Sequence, residues 1–197
     1  MRVLIPPFRD AYVEGDSLDA RAPLAWMIDD VLSADECAAT IATIEELGPE
    51  AAPITTAAGF VMRPDVRNNE RVIFDSVVLA KTLYDRIVST VPDPLAGMKP
   101  VAANERFRCY RYKPGQQFKA HYDGAFQRDA HECSLLTLMV YLNDGFEGGE
   151  TAFLDFGVTA IPRTGSALLF QHRMLHEGCQ VISGTKYVLR SDVMFRP

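Results

Sequence analysis

The sequence lacks the marks of several large classes of protein. Its four cysteines include no CxxC pair, so neither a zinc knuckle nor a disulfide framework is expected, and the thiols indicate a reduced, cytoplasmic protein. No apolar run approaches the roughly 18 residues that span a bilayer, and the first residues contain no signal-peptide core. Positive charge is not in excess, since the net charge is −6, so neither a nucleic acid nor a membrane is expected as a partner.

A chain of 197 residues without an internal repeat or a low-complexity linker suits one domain. Its composition is 48% hydrophobic and 23% charged, which is ordinary for a globular protein. We therefore expect a single domain over residues 1–197. Within it, residues 1–103 are expected to form a helical support and lid region, and residues 104–197 the β core.

Two helices are predicted in the first half of the chain. Ser33 and Glu36 have the spacing of a capping box, and the apolar stripe that follows them ends at Gly48. A second helix is expected over about residues 76–91, where a proline follows. Between the two helices, segment 49–72 has weak periodicity and is predicted to be a long loop with a strand at its end, a type of loop that is often functional.

From residue 104 onward the hydrophobic pattern changes to a period of two, and turn residues separate the segments. Many short strands at close spacing are typical of a sandwich or barrel. We predict a mainly β fold with N-terminal helices, in which the helices pack on one side of a double-stranded β-helix, a cupin-like jelly roll. The predicted strands are 105–112, 117–123, 135–142, 151–156, 158–161, 166–170, 179–182 and 185–195.

The stretch AHYDGAF, residues 120–126, places a histidine and an aspartate one residue apart. In a β-strand, residues i and i+2 point to the same face, so His121 and Asp123 are expected to project together. An imidazole beside a carboxylate suits a borderline divalent metal. The candidates for a third ligand are His131, His172 and His176.

We favour His176 as the third ligand, because His131 follows a polar loop and Gly178 leaves space around His176. Two histidines and one carboxylate on one face of a metal leave its other positions open, which is the arrangement of non-haem Fe(II) oxygenases. The alternative for His172 or His176, each taken alone, is a hydrogen-bonded structural histidine.

Three stretches of the second half stand in a fixed order: YRYKPGQQFKAHYDGAF, LLTLMVYLNDGFEGGETAFL and GSALLFQHRMLHEGCQVISGTKYVLRSDVMF. In order and spacing they resemble the Fe(II)- and 2-oxoglutarate-dependent dioxygenases, specifically the prolyl 4-hydroxylase-like branch, over about half of the chain. The resemblance implies a jelly roll in which His121, Asp123 and His176 bind iron. It implies no catalytic residue beyond these ligands.

The resemblance also implies a cation that binds the far carboxylate of 2-oxoglutarate, about ten positions after the distal histidine, which here is Lys186. Arg190 lies on the same strand face and is the alternative anchor. The alternative for Arg190 itself is a salt bridge, for example to Asp192 or Asp155.

Two tyrosines match the same family. Tyr112 stands where such hydroxylases carry a tyrosine near the cosubstrate, and the phenol of Tyr141 is placed to donate to the same carboxylate. The alternative for both is a core residue with one polar tip. For Met139, on the same strand as Tyr141, we expect the core position.

The implied activity is hydroxylation of an unactivated C–H bond with Fe(II), 2-oxoglutarate and O2, giving succinate and CO2 as co-products, with ascorbate as an optional support. The expected substrate is a prolyl or other peptidyl residue. The alternatives are a free amino acid or small metabolite, and a cupin-like metal protein that does not use 2-oxoglutarate. Segment 49–72 and loop 124–133 are candidate walls of the substrate site, or solvated loops. Monomer and homodimer are both left open.

Overall fold

The structure is a computed structural model that describes residues 1–9, 18–56 and 59–197. The described residues form two α-helices, α1 (Ala34–Leu47) and α2 (Val77–Ile87), and two short 3-10 turns, Val88–Thr90 and Leu154–Phe156. The strands are β1 (Arg2–Ile5), β2 (Ala25–Ile28), β3 (Glu50–Ala51), β4 (Ile54–Thr56), β5 (Gly59–Val61), β6 (Glu70–Asp75), β7 (Lys99–Ala103), β8 (Arg106–Tyr112), β9 (Phe118–His121), β10 (Cys133–Tyr141), β11 (Glu147–Gly148), β12 (Thr151–Phe153), β13 (Val158–Ala160), β14 (Ala167–Gln171), β15 (His176–Gly178), β16 (Val181–Ser183) and β17 (Lys186–Arg196).

A nine-stranded antiparallel sheet forms the body of the molecule. Its order is β1-β2-β14-β10-β17-β8-β6-β3, with β7 paired to β17 beside that path. A four-stranded antiparallel sheet of order β13-β12-β15-β9 lies over one face of it, and the short pairs β11-β16 and β4-β5 complete the strands of the described residues. The predicted jelly roll with few helices is confirmed.

The helices cover the outer face of the large sheet. Ser33 and Glu36 form the predicted capping box, and Gly48 ends α1 with a left-handed φ of 69°. Ser76 caps α2, whose Leu83 and Ile87 are fully buried. Helix residues and outward-facing strand residues pack into one hydrophobic core. No helix of the described residues is long and apolar enough to cross a membrane.

A second core fills the space between the two sheets. It combines side chains of the large sheet, such as Tyr141 and Phe170, with Phe153 of the four-stranded sheet and Val181 of the pair β11-β16. The large sheet is buried on both faces, so β2 and β14 are apolar almost throughout, whereas β8 and β17 also carry charged residues. The functional residues described below lie at the open side of this second core.

The expectation of a helical first third was partly wrong. Strands β1 and β2 extend the large sheet and β7 pairs with its longest strand, although none of the three was predicted. Segment 49–72 is not a simple loop either, because it contains β3 and the hairpin β4-β5, whereas the start of β6 is the strand that was expected at its end. Residues 57 and 58 of this segment lie outside the described residues. The four cysteines are free thiols, as expected.

The contact between α2 and the large sheet can be tested by shortening a buried side chain. Leu83→Ala should lower the free energy of unfolding by about 2–5 kcal/mol, because it leaves a cavity in the outer core. Val78→Ala, at a position 78% exposed on the same helix, should change it by less than about 0.5 kcal/mol. Urea unfolding of both variants measures the difference, and equal losses would contradict the packing described.

Candidate active site

Three potential metal ligands meet where the small sheet ends. His121 is the last residue of β9, and His176 is the first of β15, and the two residues are paired across these strands. Asp123 stands two residues after His121 in the sequence. One ligand atom of each of the three side chains, a nitrogen or an oxygen, lies within 4.8 Å of the other two. The structure therefore brings together the three residues that the sequence pattern selected.

The reason given for the position of Asp123 was wrong. β9 ends at His121, so strand alternation does not place the carboxylate. Instead, the backbone N–H of Asp123 donates to the carbonyl of His172 at 3.2 Å. The hydroxyl of Thr137 donates to Oδ2 of Asp123 at 2.6 Å. Two contacts, one with His172 in the turn after β14 and one with Thr137 on β10, thus orient this carboxylate.

Both triad histidines present the same nitrogen to the site. Nδ1 of His121 lies 2.8 Å from the carbonyl of Lys119, and Nδ1 of His176 lies 2.9 Å from the carbonyl of Met174. A carbonyl only accepts, so each Nδ1 carries the proton and each Nε2 offers a lone pair. This is the usual second contact of a metal-binding histidine, and the donor set fits Fe(II).

The charge states also favour a cation at this point. Burial lowers the pKa of His121 to about 4, with His176 adding to the effect, so the imidazole is neutral at pH 7. Burial acts to raise the pKa of Asp123, but the charge of Arg190 outweighs it together with other neighbours, and the pKa lies below its usual range. Neutral imidazoles and an ionised carboxylate are the forms that bind metal.

Behind Asp123 runs a chain of hydrogen bonds in one direction. Thr137 gives its proton to Asp123, so Nδ1 of His172, 2.9 Å away, must donate to the Thr137 oxygen. Nε2 of His172 then accepts from the hydroxyl of Ser134 at 2.7 Å. Burial lowers the pKa of His172 to about 4, which keeps it in this neutral form. His172 is thus a supporting residue, and His131 is an exposed loop residue.

A narrow pocket leads from the triad to Lys186, which is 2% exposed. Its ammonium donates to the carbonyl of Gly149 at 2.6 Å and lies 5.0 Å from the ring centroid of Tyr112. Among the described residues it has no ion-pair partner. Burial lowers the pKa of Lys186 to about 8. A buried cation with a single carbonyl partner is suited to receive an anion.

Arg190 differs from Lys186, because its charge is already paired. Its guanidinium lies 3.2 Å from Asp123 and 3.0 Å from Asp192. The predicted alternative of a salt bridge to Asp192 is therefore what the structure shows, whereas Lys186 lines the same pocket without an ion pair among the described residues.

The two predicted tyrosines are both buried beside Lys186. Tyr112 lines the pocket, whereas the hydroxyl of Tyr141 is 2.8 Å from that of Thr151, and it is Thr151 that reaches the pocket. Met139, expected only in the core, also lines the pocket. Thr137 and Thr151 had no signal in the sequence, because their contacts join residues far apart along the chain.

Comparison with known proteins agrees with this geometry. Residues 107–191 match the model of the 2OG-Fe(II) oxygenase superfamily. Prolyl 4-hydroxylase 1 of Arabidopsis thaliana is 25% identical over 191 residues, covering 84% of this chain and 67% of that protein. A crystal structure of the viral collagen prolyl hydroxylase vCPH from Paramecium Bursaria Chlorella virus-1, a 2OG complex, has a TM-score of 0.60 at 25% identity, covering 88% of this chain and 97% of the other.

A third similar protein is a prolyl hydroxylase from Trichoplax adhaerens, in complex with a hypoxia inducible factor oxygen degradation domain peptide fragment. It has a TM-score of 0.65 at 16% identity and covers 86% of this chain and 83% of the other, which shows the shared fold. The fold and the site define the class: the chain carries a 2OG-Fe(II) oxygenase domain and uses Fe(II), 2-oxoglutarate and O2. Within that superfamily its similarity is to the prolyl 4-hydroxylase-like branch.

The contact between Thr137 and Asp123 predicts a measurable effect on metal binding. Thr137→Val keeps the shape of the side chain but removes the hydroxyl, so Asp123 loses its donor and the affinity for Fe(II) should fall about 10- to 100-fold. Anaerobic titration of the apoprotein measures the affinity. Thr137→Ser retains the hydroxyl and should bind nearly as well as the wild type. Equal affinity of the Val variant would show that this hydrogen bond does not orient the ligand.

Proposed function

We propose that this protein hydroxylates a prolyl or other peptidyl residue, with His121, Asp123 and His176 as the iron ligands and Lys186 as the anchor of 2-oxoglutarate. The observation that carries this proposal is the pairing of two groups in one pocket. The pocket is lined by the triad of metal donors and by Lys186, a buried cation that forms no ion pair among the described residues.

When bound, Fe(II) and 2-oxoglutarate supply the oxidation of a C–H bond by O2, with succinate and CO2 as co-products. The residues of the chain hold and shield these groups. The ammonium of Lys186 pairs with the far carboxylate of 2-oxoglutarate as a point charge. Thr151 and Tyr112 flank that end of the pocket.

Apolar rings keep the neighbourhood of the triad dry. Phe118 stacks on His121 with ring centroids 3.5 Å apart, and Phe170 packs edge-on against His176 at 4.6 Å. Exclusion of water protects a reactive oxidant from side reactions. Arg190 balances the charge of Asp123, which stays ionised inside this low-dielectric space.

The peptidyl substrate is supported by the relatives named above and by the shape of the entrance. A wider cavity of about 380 Å³ opens beside the triad and is lined by Ile54 and Thr55 of the hairpin β4-β5. The same hairpin region exposes Phe60 (73%) and Met62 (50%), apolar side chains suited to an extended chain. Of the proposed walls, segment 49–72 lines this cavity, and loop 124–133 contributes Gly124 and Ala125.

A cytoplasmic location remains a prediction, supported by the four free thiols. Monomer and homodimer both remain open predictions.

The proposal is tested first by anaerobic titration with Fe(II) and then with 2-oxoglutarate. We expect the weak visible charge-transfer band of the chelate in the wild type and its loss in His176→Ala. Proline-containing peptides should then stimulate succinate release and gain one oxygen atom by mass spectrometry. Iron binding without the band would favour the cupin-like alternative. Stimulation by free amino acids alone would favour the small-molecule alternative.

The lowered pKa of Lys186 predicts a pH dependence for 2-oxoglutarate. Below pH 8 the side chain is an ammonium ion, and above it the fraction of charged side chains falls, up to about tenfold per pH unit. The value of kcat/KM for 2-oxoglutarate, which reports the free enzyme, should therefore decline above about pH 8. The arginine of the Lys186→Arg variant stays charged over this pH range. The kcat/KM of this variant for 2-oxoglutarate should therefore not decline above pH 8, even if its absolute value is lower than that of the wild type. A flat wild-type profile would remove Lys186 from the role of anchor.

A further inference from the structure

The wider cavity beside the triad has an unusual charge. Its lining shares His121 and Asp123 with the metal site, and Asp123 is the one carboxylate among the described residues that line it. That carboxylate is already engaged by the triad and by an ion pair. Four guanidinium groups line the same cavity: Arg67, Arg71, Arg108 and Arg190.

Arg67 is held in place but incompletely satisfied. It is 5% exposed, and its guanidinium lies between the rings of Tyr110 and Phe118, at 4.5 and 4.4 Å from their centroids. Nε donates to Oδ1 of Asn69 at 2.8 Å. One terminal nitrogen, Nη2, is buried without any hydrogen-bond partner, and Arg67 forms no ion pair among the described residues. Burial of a guanidinium without an ion pair costs free energy unless an anion binds to it.

Arg71 and Arg108 add charge that the chain does not neutralise fully. Arg71 on β6 is half-buried and, within the described parts of the chain, has no carboxylate partner. Burial lowers its pKa, and the charges of Arg67 and Arg108 lower it further. Arg108 lies 3.5 Å from Asp192, but that carboxylate is closer to Arg190.

The strand register brings Arg108 and Arg190 together, with Asp192 as a carboxylate that both of them contact. Arg108 on β8 is the direct cross-strand partner of Arg190 on β17, and like charges in opposed positions destabilise a sheet. Arg71 is paired with Tyr110, whose ring also supports Arg67. The sheet thus places several cations around one opening.

We propose that Arg67, Arg71 and Arg108 bind a carboxylate of the substrate, so that the enzyme acts on a residue close to an acidic side chain. This inference rests on the proposed peptidyl function and specifies its substrate class. The planar guanidinium groups match a carboxylate, which accepts two hydrogen bonds in parallel. Lys186 serves 2-oxoglutarate in the other pocket, so the arginines require a different anion.

The position of the cluster favours an acidic peptide over a nucleic acid. The arginines line an indentation rather than an open surface, and the chain as a whole carries a net charge of −6, which opposes a long polyanion. Phe118 contacts both Arg67 and His121, so the carboxylate lies one ring away from a metal ligand. The acidic residue is therefore expected next to the hydroxylated residue or close to it in sequence.

The test uses pairs of short peptides with blocked ends and one proline each. The two peptides of a pair differ at one position near the proline, which is Asp in one peptide and Asn in the other. A series of such pairs places this position at different distances on both sides of the proline. For the wild type with Fe(II) and 2-oxoglutarate, kcat/KM for the favoured Asp peptide should exceed that of its Asn match by about 10- to 100-fold, the effect of one charge-assisted contact. In Arg67→Met and Arg71→Gln the ratio should approach one.

Two controls separate binding from structure. Arg63 is exposed and paired with Asp65 in the same segment, and Arg63→Met should keep the wild-type ratio. Arg71→Glu should reverse the preference toward a Lys peptide, which a merely structural role of Arg71 would not do. Calorimetric titration of the Asp and Asn peptides into the anaerobic complex with Fe(II) and 2-oxoglutarate gives the same comparison without turnover.

The outcomes distinguish the two proposals. Equal hydroxylation of Asp and Asn peptides, or an Asp preference unchanged in Arg67→Met and Arg71→Gln, overturns the carboxylate inference and leaves the peptidyl function standing. Succinate release stimulated only by free amino acids, and weakened in Arg71→Gln, supports a carboxylate contact through the α-carboxylate while the peptidyl function fails. Stimulation by an oligonucleotide in place of any carboxylate overturns the inference.

Discussion

Burial of charge between the two sheets is the constraint on which the rest of this structure depends. β17 carries two cations, Lys186 and Arg190, into that space, where an isolated charge is costly. Arg190 obtains its anions from the chain itself, at Asp123 and Asp192. Lys186 donates to the carbonyl of Gly149 and forms no ion pair among the described residues. Arg190 therefore belongs to the part of the site whose charges the chain itself pairs, and Lys186 to the part that is left for a ligand.

The fold was predictable where alternation or flanking turn residues mark a strand, and turn residues identified even β14, which is buried at every position. Strands after residue 104 show alternation, and the jelly roll followed from their number and spacing. β2, with the sequence AWMI, is buried at every position, so it has no period that distinguishes a strand from part of a helix. β15 has only three residues, too few for any pattern, although it carries His176.

The metal donors were predictable because few residue types bind iron and the chain has only four histidines. The distinction between Lys186 and Arg190 was not, since it depends on which carboxylate lies within reach in three dimensions. The same holds for Thr137 on β10, whose contacts reach Arg190 on β17 and, outside the strands, Asp123 and His172. The contacts of Arg67 within segment 49–72 were not predictable, because the two rings that enclose it, Tyr110 and Phe118, lie on other strands.

The alternation along β17 has a consequence for how such an enzyme can change. Lys186, Val188 and Arg190 face the site, while Leu189, Val193 and Phe195 belong to the core under the helices. One strand thus contributes side chains to two separate layers of the protein, the site between the sheets and the core under the helices. Residues that determine what the enzyme accepts can be replaced on one side while the layer that supplies most of the packing stays intact. The cost of such a replacement falls on the charges of the site, since removal of Arg190 would take a cation from the buried carboxylates Asp123 and Asp192, and not on the packing under the helices.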